Sequence, residues 1–328
     1  MMDAKVFVQC LLNLSEQASN LACLVRDDEQ LNERLTASKS KRMNGEADFK
    51  TLADVLIQCT FSHGLKSKFP NHQINVRGEE DGKFPSEDGK QVILEITDDV
   101  QNTRNLLGKV LNDKSIVEKL SGAVHKHIEV HDDLVNKVAG VHLPDVLNVW
   151  IDPIDSTKSF IKGGESLESV TVLVGVHHEG VPIVGVMTYP FSKQQIWGVC
   201  FEGSCVTSVP KPVVNSMIKT VFVSNLETEQ NRDKLRSQGY QVETPTGAGF
   251  KLGGIILGTA SFYYVSKKST YQWDTCGPHA IIRAMGGEVV HISTPDTAIF
   301  YNDSMEPNEG FVAYLDRQGA EKLLESLK

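Results

Sequence analysis

The chain has 328 residues, 40% of them hydrophobic and 23% charged, with 26 glycines; this suits a folded globular protein and is long enough for two lobes, since single cores stop growing near roughly 250 to 300 residues. Its formal charge of -9 argues against sequence-independent nucleic-acid binding, which needs Lys and Arg to neutralise phosphates, and no stretch approaches the roughly 20 apolar residues that span a bilayer. The six cysteines (Cys10, Cys23, Cys59, Cys200, Cys205, Cys276) form no CxxC and no regular framework, so reduced thiols in a cytoplasmic protein are expected rather than a zinc cluster.

Residues 3 to 28 carry Val6, Cys10, Leu14, Ala18 and Leu21 at helical spacing, an amphipathic first helix ending near Arg26. It lacks a basic leader, and Asn13 and Ser15 interrupt its apolar run, so it does not read as a signal peptide. The polar stretch 27 to 46, with its KSKR, is expected to be a mobile connection. A second helix is predicted from Asp48 to about Phe69, closed by Pro70. INVRGEEDG reads as a strand emptying into an acidic turn, QVILEI as another strand, and residues 98 to 135 as weakly helical. VLNVWID is an apolar strand expected to stop at DPIDST. SVTVLVGVHH, VPIVGVMTYP and QQIWGVCF predict an antiparallel meander with turns at 178 to 180 and 191 to 193. Beyond the proline-containing stretch 208 to 216, short strands and helices alternate from TVFVS to GEVVHI. That pattern predicts an N-terminal α+β lobe over 1–210 and a C-terminal α/β lobe over 211–328.

Three acidic clusters stand where elements end: GEED at 78–81, DPIDST at 152–157 and WDT at 273–275. Hard divalent cations take carboxylate and carbonyl oxygens, so these are suitable parts for a magnesium site. Pro153 fixes the backbone, so the Asp152 and Asp155 carboxylates and the Ile154 carbonyl can converge on one side of a tight turn. Ser156 and Thr157 then offer main-chain N–H groups to a phosphate. A plain capped turn is the competing reading, and Asp274 is equally readable as the N-cap of a helix with Pro278 in its first turn. HIEVH at 127–131 spaces two histidines as a zinc-protease helix does, but Glu129 falls one position late, so zinc is not expected. GAGFKLGG at 247–254 is neither a P-loop nor GxGxxG; as a helix entrance it could steer an anion through Lys251, or be a glycine turn.

With those residues in hand, the chain resembles the lithium-sensitive, magnesium-dependent phosphatase family that includes inositol monophosphatases, bisphosphate nucleotidases and inositol polyphosphate 1-phosphatases. The likeness is carried by ADFKTLADVLIQ, the GEE turn, VWIDPIDST followed by IKG, GAGFK with IILG, and WDTCGPHAIIRAMGG, and its pattern is nearest to the last group. The resemblance implies an α/β fold, a layered αβαβα sandwich of the inositol monophosphatase and fructose-1,6-bisphosphatase type. It implies two to three magnesium ions: one on Glu79, Asp152 and the Ile154 carbonyl, a second on Asp152, Asp155 and Asp274, and a third on Glu79 and waters. Asp54 matches a family acid beside the metals, and Glu79 and Thr157 would position a metal-activated water. Asp155, Ser156 and Thr157 would face the phosphate, with Ser224, Lys251 and Thr270 as further substrate contacts.

The implied reaction is lithium-inhibited hydrolysis of the 1-phosphate of inositol polyphosphates (inositol 1,4-bisphosphate and inositol 1,3,4-trisphosphate) by a monomer without nucleic-acid or membrane partners. A 3'(2'),5'-bisphosphate nucleotidase is the alternative, because Lys158 after DST is similar to the pattern of that group, whereas Ser156 in place of Gly is not. A catalytically inactive metal- or phosphoinositol-binding member is the alternative of another class. Segments 163–168 and 201–219 look shorter than in the vertebrate polyphosphate enzymes, which alters the loops near the site.

Overall fold

The computed structural model describes residues 1–28, 36–41, 47–86, 88–213 and 219–327. The short strand β1 (Met2–Asp3) leads into helix α1 (Ala4–Asp27), where the Asp3 carboxylate accepts the first-turn N–H groups of Lys5 and Val6. Phe7, Leu11, Leu14, Ala18, Leu21 and Val25 form its buried stripe. The expected mobile connection is in part a strand, since β2 (Thr36–Lys41) pairs antiparallel with β3 (Ala47–Thr51); residues 29–35 and 42–46 lie outside the described residues.

The second helix, α2 (Leu52–Lys68), starts four residues later than the pattern suggested. Thr51 caps it: its hydroxyl accepts the Asp54 N–H, and the Asp54 carboxylate accepts from Thr51 N and Oγ1 at 2.6 Å each. This reciprocal capping box satisfies first-turn donors that a helix beginning at Asp48 would leave elsewhere.

Next come β4 (Gln73–Gly78), β5 (Lys83–Pro85), β6 (Gln91–Ile93), α3 (Val100–Val110), α4 (Lys114–Val124), β7 (His142–Leu143) and β8 (Val146–Asp155). Residues 126–132 are not helical, so the two histidines of HIEVH do not share a helix face. The short helix α5 (Thr157–Lys162) leads to the meander β9 (Thr171–His178), β10 (Val181–Tyr189), β11 (Gln194–Phe201) and β12 (Ser204–Thr207). The C-terminal part runs β13 (Thr220–Val223), α6 (Glu229–Ser237), β14 (Gln241–Glu243), α7 (Ala248–Leu257), β15 (Phe262–Val265), α8 (Gln272–Ala284), β16 (Glu288–His291), β17 (Phe311–Tyr314) and α9 (Arg317–Leu327).

Two sheets organise these elements. One has the order β12-β11-β10-β9-β8-β4, with only the β4–β8 pair parallel; the other has the order β14-β13-β15-β17-β16. Helices α1 and α2 cover the outer face of the first sheet, α7 and α8 lie between the sheets, and α6 and α9 cover the far side. The stack is therefore helix, sheet, helix, sheet, helix, as expected. Helix α8 approaches the six-stranded sheet through glycines: a Cβ on Gly277 would stand 2.6 Å from the Val174 carbonyl oxygen, backbone that cannot yield. Among the described residues no helix is long and apolar enough to cross a membrane.

One expectation about the cysteines fails. Cys200 and Cys205 are joined in a disulfide, directly opposite one another on β11 and β12. Glu202 and Gly203 both have positive φ, 47° and 82°, the two-residue turn that folds this hairpin tightly and sets the two cysteines in register. Cys10, Cys23, Cys59 and Cys276 are free, and only Cys276 is fully buried.

Candidate metal centre

Strand β8 does not stop at Asp152. It runs on to Asp155, pairing Asp152 with Leu173 and Asp155 with Thr171, so three steps on β8 answer two on β9. DPID is thus a β-bulge and not a tight turn. The bulge accommodates Pro153, which has no N–H for the ladder. It also has a consequence for the acids: residues three apart point to opposite faces of a regular strand, and the extra residue returns Asp155 to the face of Asp152.

Each acid is then fixed by its own element. Asp155 accepts from Ala248 N (3.2 Å), Gly249 N (2.8 Å) and Thr171 Oγ1 (3.1 Å), which sets it at the N-terminal end of α7. Ser156 follows with φ of 74°, a left-handed conformation uncommon outside glycine, and turns the chain into α5. Thr157 is buried there and donates its hydroxyl to the Ile154 carbonyl at 3.2 Å. Asp274 is the third residue of α8, where its carboxylate accepts from Tyr271 N at 2.5 Å. It is thus inside the capping box and not the N-cap, and Pro278 lies one turn further in than a first-turn proline, because α8 starts at Gln272. Glu79 directly follows β4, its N–H donated to the Ile151 carbonyl at 3.2 Å. Asp54 is buried in the first turn of α2.

Single carboxylate oxygens of Asp152, Asp155 and Asp274 all lie within 4.8 Å of one another, and all three residues are buried. The electrostatics follow from this crowding. Burial first, then the charges of Glu79, Asp155, Asp274 and Asp54, hold the Asp152 carboxyl well above the usual carboxylate range. Burial and the Asp155 charge raise Asp274 to about 8. Asp155 is raised by burial, opposed by the Lys251 ammonium and by the bonds from Gly249, Ala248 and Thr171. Lys251 is itself buried, donating to the Pro245 carbonyl at 3.0 Å over the Tyr263 ring; burial lowers its pKa and the two aspartates raise it.

Asp152 Oδ1 is buried with no hydrogen-bond partner. Three buried carboxylates, one with an oxygen left over, are a costly arrangement for water-free protein and a fitting one for a hard divalent cation.

The structure thus brings together Asp152, Ile154, Asp155, Thr157 and Asp274, with Glu79 and Asp54 close enough to act on Asp152. Lys251 belongs beside the same aspartates. Ser224 stands at the end of β13, its Oγ accepting from Leu226 N and its carbonyl from Arg232. Thr270 is buried, and its carbonyl accepts from Asn308 N at 2.7 Å. The second acid of GEE points elsewhere, since Glu80 N donates to Gln58 Oε1 and the Glu80 carboxylate faces Lys50 at 3.9 Å. Sequence reasoning missed Thr171 and Asn308. Thr171 shares a strand face with Leu173 and Gly175, a signal that strand alternation could have given.

Residues 8–327 match the model of the inositol monophosphatase family. The chain belongs to that family. Among its relatives it is 33% identical to inositol polyphosphate 1-phosphatase of Bos taurus, over 89% of this chain and 86% of that protein. It is 32% identical to the Homo sapiens protein of the same name, over 86% and 82%. With 3'(2'),5'-bisphosphate nucleotidase 1 of Homo sapiens the identity is 29%, over 75% of this chain and 72% of that protein. The inositol monophosphatase fold is also seen in solved structures similar to this one. The extragenic suppressor protein suhB from Bartonella henselae has a TM-score of 0.60 at 13% identity, covering 98% of each chain. CysQ from Bacteroides thetaiotaomicron has 0.57 at 17%, covering 94% of this chain and 97% of that one.

Proposed function

We propose that the chain is a magnesium-dependent, lithium-inhibited phosphomonoesterase that hydrolyses the 1-phosphate of inositol 1,4-bisphosphate and inositol 1,3,4-trisphosphate. The buried triad of Asp152, Asp155 and Asp274 within 4.8 Å carries the reading, together with the 33% identity to an inositol polyphosphate 1-phosphatase over most of both chains. In this reading Glu79, Asp152 and the Ile154 carbonyl hold one magnesium, and Asp152, Asp155 and Asp274 hold a second. Glu79 would also hold a third, and lithium would inhibit by competing for the same carboxylates. When bound, magnesium supplies Lewis-acid charge to the phosphate and makes water more acidic.

The chain's own groups do the rest. The Thr157 hydroxyl donates a hydrogen bond to the Ile154 carbonyl, which leaves its oxygen lone pairs to accept from a water. Glu79 takes that water's proton as it attacks phosphorus in line, with Asp54 steadying the turn alongside. Ser156 and Thr157 offer main-chain N–H groups to the phosphate. Ser224, Lys251 and Thr270 contact the rest of the substrate. As the water oxygen bonds to phosphorus, the bond from phosphorus to the inositol 1-oxygen breaks and that oxygen takes a proton from solvent water, so the remaining inositol phosphate and inorganic phosphate leave without a covalent enzyme intermediate. The chain acts as a cytoplasmic monomer with lobes 1–210 and 211–328.

The likeness to bisphosphate nucleotidase 1 favours one second reading, and one assay separates the two. Purified protein with magnesium is given inositol 1,4-bisphosphate or adenosine 3',5'-bisphosphate, and phosphate release is measured. Faster release from the inositol substrate is expected. Preference for the nucleotide would reassign the substrate, and inactivity on both would leave an inactive metal-binding member.

A further inference from the structure

We propose that Asn308 is a positioning residue for the metal centre, fixing both the Asp274 carboxylate and the Thr270 hydroxyl from an irregular strap that crosses the start of α8. The proposal rests on the reading of Asp274 as a metal ligand. Residues 301–308 have no regular secondary structure, yet they bond the first turns of α8 repeatedly. Asn302 N donates to Gln272 Oε1, and Gln272 Nε2 donates to Asn302 Oδ1, both at 2.8 Å. The Tyr301 hydroxyl hydrogen-bonds His279 Nδ1 at 3.0 Å.

Asn308 closes the strap on the residues that matter to Asp274. Its N–H donates to the Thr270 carbonyl at 2.7 Å, and the same peptide unit donates its other end, Tyr271 N–H, to the Asp274 carboxylate at 2.5 Å. A peptide group held at both ends is polarised, so each bond strengthens the other. The Asn308 side-chain amide then donates to the Tyr271 carbonyl (2.8 Å), Thr275 Oγ1 (3.1 Å) and Thr270 Oγ1 (3.4 Å). One side chain therefore ties the residues on both sides of Trp273 and Asp274 to a single point. The Tyr271 and Trp273 rings stack at 4.5 Å and stiffen the same turn.

Groups that orient a metal ligand from behind set metal affinity, and their loss costs about 10- to 100-fold. Without the Asn308 amide the 270–271 turn can rotate, and Asp274 loses the N–H that aims it. The partner-bearing residues of the strap differ in this respect: Asn302 holds Gln272, which does not bond Asp274.

The test is magnesium binding by calorimetry on chelator-treated protein, with circular dichroism melts run beside it. Asn308→Ala and Asn308→Asp are compared with wild type and with Asn302→Ala, a change on the same strap. Both Asn308 variants are expected to bind magnesium about tenfold or more weakly while still melting cooperatively. Asn302→Ala is expected to keep its affinity within about twofold. Wild-type affinity in both Asn308 variants overturns the proposal, as does equal weakening by Asn302→Ala, which would make the strap a general brace. Loss of cooperative melting in both Asn308 variants also overturns it, because Asn308 is then a folding determinant. If wild type itself binds no magnesium, the metal reading has failed and takes this proposal with it; that outcome is distinct, since it appears before any variant is made.

Discussion

Replacing Asp274 by Asn should make the metal-free protein more stable while removing its activity. Asn keeps the shape of the side chain, and its carbonyl can still accept the Tyr271 N–H that the carboxylate now accepts. What it removes is an acidic group packed against Asp152 and Asp155 that the metal-free native state must keep protonated. Burial and the Asp155 charge raise the Asp274 carboxyl from the usual 3.8 to about 8. The native state thus holds a proton that the unfolded chain releases, so stability is full below the unfolded value and falls as pH rises toward the folded one. Between 3.8 and neutrality, at about 1.4 kcal/mol per pH unit, the penalty is bounded at about 4 kcal/mol. Sharing the charge among three acids leaves about 1–3 kcal/mol for the single change. Urea unfolding in excess chelator measures it: Asp274→Asn should gain that amount near pH 7 and almost nothing near pH 4, with phosphate release lost at both. A variant less stable than wild type near pH 7, or a gain equal at both pH values, would refute the electrostatic reasoning.

Other consequences follow from the same geometry. Chelator-treated wild type should lose stability as pH rises from about 4 to 8, the window of the raised Asp274 carboxyl, and saturating magnesium should cancel that slope with measurable proton release. Gly277→Ala puts a Cβ 2.6 Å from the Val174 carbonyl and should cost about 1–3 kcal/mol by overpacking; because Asp274 is one turn upstream on α8, the magnesium needed for half-maximal rate should also rise. Thr157→Val keeps the volume but deletes the hydroxyl that bonds Ile154. Its folding stability should fall by about 1 kcal/mol and its kcat by about 100-fold or more, the two being separated by a urea melt and a steady-state rate.

Much of this site is legible in the sequence because the acids end recognisable elements. The GEE turn closes β4, DPID sits behind an apolar strand, and WDT opens a helix, so their convergence follows once the strands are placed side by side. The form of DPID is not legible, for a physical reason: a proline after an apolar run signals a stop, and only the pairing with β9 shows that the strand absorbs Pro153 as a bulge. The pattern places the start of α2 early because Asp48 and Phe49 fit a helical period, whereas Thr51 and Asp54 form the capping box. Strand β17 (Phe311–Tyr314) and helix α9 (Arg317–Leu327) escape the sequence reading. The strand is only four residues long and pairs with β15, some fifty positions earlier, a partner no local pattern reveals. The Cys200–Cys205 bond is hidden likewise, since it depends on hairpin register and not on a spacing motif. Asn308 lies in a stretch without periodicity and acts from thirty-odd residues away on the chain, so nothing in its neighbourhood marks it.

The central claim, that the buried aspartates make a magnesium-dependent phosphatase, is tested most directly by phosphate release from inositol 1,4-bisphosphate. Chelator-treated protein is measured alone, with magnesium restored, and with magnesium plus lithium. No release, then full release, then suppressed release is the predicted sequence. Release that ignores both ions, or none with magnesium present, would contradict it.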